Sequence, residues 1–112
     1  MLKKPIPVFG LTLLFGISAH ASIMQAAFAK SDAALNDAYQ NLIFQIRHDN
    51  GQNSQKEQLL KDAQREWVTY RDKKCAFEAY LSDDDKADES ERLDCMATIS
   101  DQRTQELVTA AQ

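Results

Sequence analysis

Hydrophobic residues recur every three or four positions in three stretches of the chain, the spacing that places them on one face of an α-helix. The first stretch predicts a helix over roughly 33–49, with a start nearer Met24 as the alternative, because Met24 and Phe28 continue the same face. Asn50-Gly51 predicts its end, because glycine readily takes the left-handed conformation that follows a helix. The apolar face of this helix comprises Leu35, Ala38, Tyr39, Leu42, Ile43 and Ile46.

A second helix is predicted over 54–81, and its start is marked by Ser54 followed three residues later by Glu57. This is the capping-box pattern. At 1.5 Å per residue the helix would be about 42 Å long, and a bend or break near 73–74 would shorten it. Its predicted apolar stripe comprises Leu59, Leu60, Ala63, Trp67, Tyr70, Phe77 and Leu81.

A third helix is predicted over 90–110, with Met96, Ile99, Leu107 and Ala110 on its apolar face. Both connections between the helices are short, and short connections make neighbouring helices antiparallel. The pattern therefore predicts an all-α fold, a small up-down-up helical bundle.

The amino terminus has the layout of a secretory signal peptide. Lys3 and Lys4 precede an apolar run over 8–17, which is about half the length that a membrane-spanning helix needs. Small-residue cleavage sites end at Ala21 and at Ala29, and we favour Ala21 because it is closer to the apolar run. We expect a signal peptide over 1–21, a single domain over 22–112 that does not span a membrane, and a periplasmic or secreted location.

Composition after residue 21 supports helices, because the segment has no proline, two valines and a single glycine. It retains 11 basic and 17 acidic residues, a net charge of −6. Nucleic acid is an improbable partner, since binding its backbone requires a basic patch. A cationic protein is the better expectation.

Cys75 and Cys95 are the only cysteines. They fall at level positions of the predicted antiparallel hairpin, and an exported chain meets an oxidising compartment, so we predict that they form a disulfide. One histidine remains after the signal, and neither a phosphate loop nor a metal-ligand spacing is present. We expect no metal, no cofactor and no enzymatic activity.

Two arginines lie close to the predicted contact between the second and third helices. Arg71 is one turn before Cys75, and Arg103 interrupts the apolar face of the third helix at the level of Trp67. Arg103 is placed to stack on the indole or to bond Gln64. A structural arginine is the favoured interpretation and a functional polar site is the alternative, with Trp67 largely buried in both.

The connection between these two helices is acidic. EF-hand spacing and its glycine are absent, so calcium is not indicated. A solvated loop is the simpler interpretation and a partner-contacting loop is the alternative. The same alternative applies to Phe44, which is predicted to be exposed on the first helix. The candidate contact residues in the connection are Asp83, Asp84, Asp85, Asp88 and Glu89.

Three segments, LNDAYQNL at 35–42, AQREWVTYRDKKC at 63–75 and DCMATISDQRTQEL at 94–107, resemble the LprI-like lysozyme inhibitor family. The matching motif positions are Leu35, Asn36, Tyr39, Leu42, Gln64, Trp67, Arg71, Asp72, Cys75, Cys95 and Arg103. This chain differs from many members in lacking an amino-terminal cysteine pair and in carrying the acidic run. The resemblance implies a small exported inhibitor of a lysozyme-type peptidoglycan hydrolase; an envelope adaptor or an immunity protein is the alternative.

Overall fold

The protein is described by a computed structural model that covers residues 19–81 and 86–112. Three helices make up the fold: α1 (Ala19–Asn50), α2 (Gln55–Glu78) and α3 (Glu89–Ala111). No strand occurs in these described ranges, and the predicted all-α, up-down-up architecture is confirmed. Most of the signal-peptide segment and the acidic residues Asp83, Asp84 and Asp85 lie outside the described residues.

Helix α1 is the long element of the fold and begins well before the predicted start at 33. It packs along α3 more extensively than α2 packs on either neighbour. The molecule is elongated, with dimensions of 62 × 40 × 19 Å. The main core cluster is built from Leu35, Ala38, Leu42 and Ile46 of α1 with Leu107 of α3.

The turn between α1 and α2 follows the predicted signals closely. Gly51 has a φ of 78°, and its N–H donates to the carbonyl of Arg47, which closes the last turn of α1. Ser54 is the N-cap of α2, and its hydroxyl accepts a hydrogen bond from the Glu57 N–H at 3.2 Å. Helix α2 then continues without interruption through 73–74 and ends at Glu78. The bend or break that its predicted length suggested does not occur.

The predicted apolar stripe of α2 describes its buried face only in part, since Leu60 and Trp67 pack against the core cluster but other members do not. Leu59, Tyr70 and Phe77 are 61%, 56% and 65% exposed. The helix instead buries the flank that carries Gln64, Arg71 and Cys75, together with Glu57 near its start. Trp67 lies between the two faces, where it is partly buried and packs against the core cluster.

The reason is that α2 is oriented by its bonds to α3 rather than by its own hydrophobic pattern. The Cys75–Cys95 bridge turns the polar flank towards α3, and the polar side chains on that flank find partners there. The predicted face of α3 is largely correct: Met96 and Leu107 are buried, Leu93 and Ser100 are buried as well, and Ala110 is exposed.

Candidate functional site

Arg71 is the centre of a polar seam where the three helices meet. Only 7% of this residue is exposed, and its guanidinium lies 5.3 Å from the ring centroids of both Phe28 and Trp67. Cation–π attraction favours both placements. The Nη1 atom donates to Asp32 on α1 and to the Ser100 hydroxyl on α3, each at 3.4 Å. A single α2 side chain therefore bonds to both other helices.

Arg103 completes the seam from α3. Its Nε donates to Gln64 Oε1 at 2.9 Å and its Nη1 donates to Glu106 at 2.8 Å. The guanidinium carbon is 5.9 Å from the Trp67 centroid. The residue thus lies against Trp67 and Gln64, as the spacing predicted.

The hydrogen bonds of this seam are already formed within the protein. Asp72, which is exposed, accepts from Arg71 Nε at 2.9 Å. Throughout the described ranges, no buried side-chain nitrogen or oxygen lacks a partner. Because the buried donors and acceptors are occupied, the seam is suited to hold helices together rather than to bind a ligand.

The remaining motif residues also belong mainly to the architecture. Leu35 and Leu42 are core residues, and Tyr39 packs against the same cluster. Asn36 is exposed on α1. The motif thus describes how the helices pack, which directs attention to the surfaces around it.

A disulfide between Cys75 and Cys95 joins the end of α2 to the start of α3, with the two Cα atoms 5.5 Å apart. This confirms the predicted bridge. Cys75 is fully buried, and neither cysteine is free. The bridge fixes the distance between the two helices at the end of the molecule where the acidic connection begins.

Beside the disulfide, a groove of about 610 Å³ lies between α2 and α3. Three carboxylates line it, from Glu78 on α2 and from Glu91 and Asp94 on α3. Lys74 pairs with Glu78. Glu91 and Asp94 form no ion pair with any described residue, so the α3 side of the groove keeps uncompensated negative charge. The groove is lined by Lys74, Glu78, Leu81, Glu91, Asp94, Cys95, Thr98, Ile99 and Gln102.

Two residues of the acidic connection have local structural roles. Asp88 is the N-cap of α3, and its carboxylate accepts from the N–H groups of Ser90 and Glu91. The Ser90 hydroxyl and these backbone bonds lower the pKa of Asp88. Glu89 binds Arg92 through two hydrogen bonds of 2.8 and 2.7 Å, and this contact lowers the pKa of Glu89.

At the opposite end of α2, a buried carboxylate fastens α2 to α1. The Glu57 side chain has no exposed surface and accepts two hydrogen bonds from Arg47, at 3.0 and 2.8 Å. Lys61 lies 2.8 Å away and the Asn53 N–H donates at 3.1 Å. The hydrogen bonds from Arg47 and Lys61 lower the pKa of Glu57 to about 2. The sequence identified Ser54 and Glu57 as a cap but gave no indication of Arg47.

The groove carboxylates were also not assigned from the sequence. Glu91 lies four residues before Cys95, one helical turn away, and Glu78 lies three residues after Cys75. These spacings place the two carboxylates near the bridge on facing helices. The signal was present, but it required the disulfide as a reference point.

The described helices contain no segment that is both long and apolar enough to cross a bilayer. In residues 19–81 and 86–112, no group of three or more His, Cys, Asp or Glu side chains is arranged to hold a metal ion.

Together these features define a small three-helix protein with an interhelical disulfide, a polar seam whose buried donors and acceptors are paired, and an acidic groove at one end. The chain belongs to the family described as lysozyme inhibitor LprI, whose model matches residues 17–107. Comparison with the curated proteins and with the solved structures gave no match. The family is named for inhibition rather than for catalysis.

Proposed function

We propose that this protein is a non-enzymatic periplasmic inhibitor of a cationic, lysozyme-type peptidoglycan hydrolase, and that it binds its target through the acidic end closed by the Cys75–Cys95 bridge. Family membership supports the class of target. The disulfide supports an exported location, because such bridges persist in oxidising compartments.

The groove between α2 and α3 is the observation that carries the proposal. A lysine or arginine side chain combines an apolar stem with a charged head. Leu81 and Ile99 offer apolar contacts for the stem, and Glu91 and Asp94 offer carboxylates for the head. Charge-assisted hydrogen bonds to such carboxylates are about twice as strong as neutral ones.

The net charge of the protein also favours binding to a cationic partner. After removal of the first 21 residues the chain has a net charge of −6, which attracts a cationic protein and accelerates encounter. The acidic connection at 82–91 concentrates part of this charge, and it follows in sequence Leu81, which lines the groove. Because exposed charges are screened over about 10 Å at 0.1 M salt, we expect the association rate to fall as salt is added.

The test is inhibition of several purified hydrolases at about 0.15 M ionic strength, with an unrelated protein of equal charge as the reference. A groove variant, Glu91→Gln with Asp94→Asn, removes two negative charges. Its matched control, Asp37→Asn with Asp49→Asn, removes two exposed charges from α1. We expect the groove variant to raise the inhibition constant about tenfold, equivalent to about 1.4 kcal/mol of lost contact, and the control to change it little.

A third variant separates the groove from the connection. Replacing Asp83, Asp84 and Asp85 by Asn while retaining Asp88 keeps the N-cap of α3 and is expected to slow association. Equal inhibition by the protein and by the charge-matched reference would contradict the proposal. A groove variant that inhibits as well as the control would remove the groove from the binding site.

A further inference from the structure

The outward face of α2 carries a line of apolar residues from Leu59 to Phe77, with Glu66 beside it. Leu59, Ala63, Tyr70 and Phe77 fall within about 40° of one another on the helix, at 100° per residue. All four are exposed, although two are aromatic and one is leucine. This outer stripe of α2 extends about 27 Å from Leu59 to Phe77. Aligned large apolar side chains on a surface helix are typical of an interface.

The charges beside the stripe are distributed unequally between its two halves. Asp62 and Glu66 lie in the first half, and Lys73 and Lys74 lie in the second. Asp62 is paired with Arg65, and Lys74 is paired with Glu78. Glu66 and Lys73 are exposed and form no ion pair with any other described residue. One free charge of each sign therefore flanks Tyr70.

This order of charges makes the stripe complementary to itself when two copies are antiparallel. With a two-fold axis at position 68, Leu59 of one copy lies opposite Phe77 of the other. Glu66 then lies within one helical turn of Lys73 of the other copy, and symmetry produces this pair twice. In a parallel pair each flank of the helix faces the opposite flank of the other copy, so Glu66 and Lys73, which lie on the same flank, would not meet and the match would be lost.

We propose that this protein forms an antiparallel homodimer through the outer stripe of α2. The partner is a second copy because the charges match in that arrangement without any other molecule. A single helix face buries less surface than the roughly 1,200 Å² of a standard interface. Interfaces of this size are typical of weak association, so we expect the dimer to form only at high protein concentration.

Sedimentation equilibrium of the purified protein, in its processed form and without a hydrolase, tests the proposal. The average mass should rise from monomer towards dimer as the concentration increases from about 10 µM to about 1 mM. Phe77→Ser should weaken association about tenfold. The matched control is Phe44→Ser, because Phe44 is 72% exposed but lies on α1, and this variant should associate like wild type.

Charge reversal tests the antiparallel arrangement. Glu66→Lys alone and Lys73→Glu alone each place like charges together and should weaken self-association. An equimolar mixture of the two variants restores both opposite-charge pairs in the mixed dimer, so its average mass should exceed that of either variant alone and move towards that of wild type. A monomer at every concentration, or equal behaviour of the Phe77 and Phe44 variants, overturns the proposal. If the protein is monomeric and its Phe77→Ser variant fails to inhibit a hydrolase, the outer stripe of α2 binds the target rather than a second copy.

Discussion

Removal of the Cys75–Cys95 bridge is expected to destabilise the folded protein by about 3 kcal/mol. The two cysteines are separated by 20 positions. Closing a loop of that length removes about 11 cal/mol/K of entropy from the unfolded chain, which is about 3 kcal/mol at 25 °C. For a domain of this size, the melting temperature should fall by roughly 12–24 °C.

The measurement is thermal unfolding followed by far-ultraviolet circular dichroism, on the Cys75→Ala, Cys95→Ala double variant. Alanine avoids placing an unpartnered hydroxyl at the fully buried position 75. Wild-type protein in a reductant is the second sample, because it loses the cross-link but keeps both sulfur atoms. Agreement between the two samples separates the cross-link from any packing defect.

A loss below about 1 kcal/mol in both samples would refute the loop-entropy reasoning. It would mean that the α2–α3 contacts already confine this loop in the unfolded or reduced chain. A large loss in the double variant with a small loss on reduction would instead indicate a packing defect at position 75.

Two further outcomes are expected. The pKa of Glu57 is lowered from 4.5 to about 2, so its charge stabilises the fold above pH 4.5, and this contribution is lost as the pH falls through about 2. The difference in melting temperature between wild type and Glu57→Gln should therefore shrink as the pH is lowered from 4.5 to about 2. A difference that stays constant over this interval would contradict the assignment. We also propose that the signal peptide is removed after Ala21, because cleavage after Ala29 would delete Phe28 and its contact with Arg71. The intact mass of the exported protein should correspond to a chain that begins at Ser22, and a mass that corresponds to a chain beginning at Lys30 would contradict this.

The positions of the helix ends were largely predictable because they depend on local chemistry. Gly51 ends α1 and Ser54 begins α2 through contacts within a few residues. The early start of α1 was less visible, since residues 19–32 are mostly small or polar and only Met24 and Phe28 continue the apolar face.

The orientation of α2 was not predictable from hydrophobicity. Gln64 and Arg71 are polar, and a periodicity argument assigns them to the surface. They are buried because each has a specific partner on another helix, at Arg103 and at Ser100. Such pairs join residues 39 and 29 positions apart, and the hydrophobic pattern carries no information about them. The contact of Arg103 with Gln64 was predictable only because Cys75 and Cys95 align the two helices. The acidic groove was not predictable from the hydrophobic pattern either, because its carboxylates become neighbours only across the α2–α3 hairpin.

Two contacts attach α2 to its neighbours, the Arg47–Glu57 ion pair and the Cys75–Cys95 bridge. They form under different conditions. The contact between Arg47 and Glu57 joins residues ten positions apart and needs no oxidant, so it can form as soon as the first two helices meet. The bridge at the other end closes only where thiols are oxidised. Without the oxidised bridge, α3 still packs along α1 and Arg47 still binds Glu57, but the end of α2 near Cys75 is not covalently tied to α3. The reduced chain is therefore easier to unfold than the oxidised one, by about 3 kcal/mol, and this difference would ease the export that we propose.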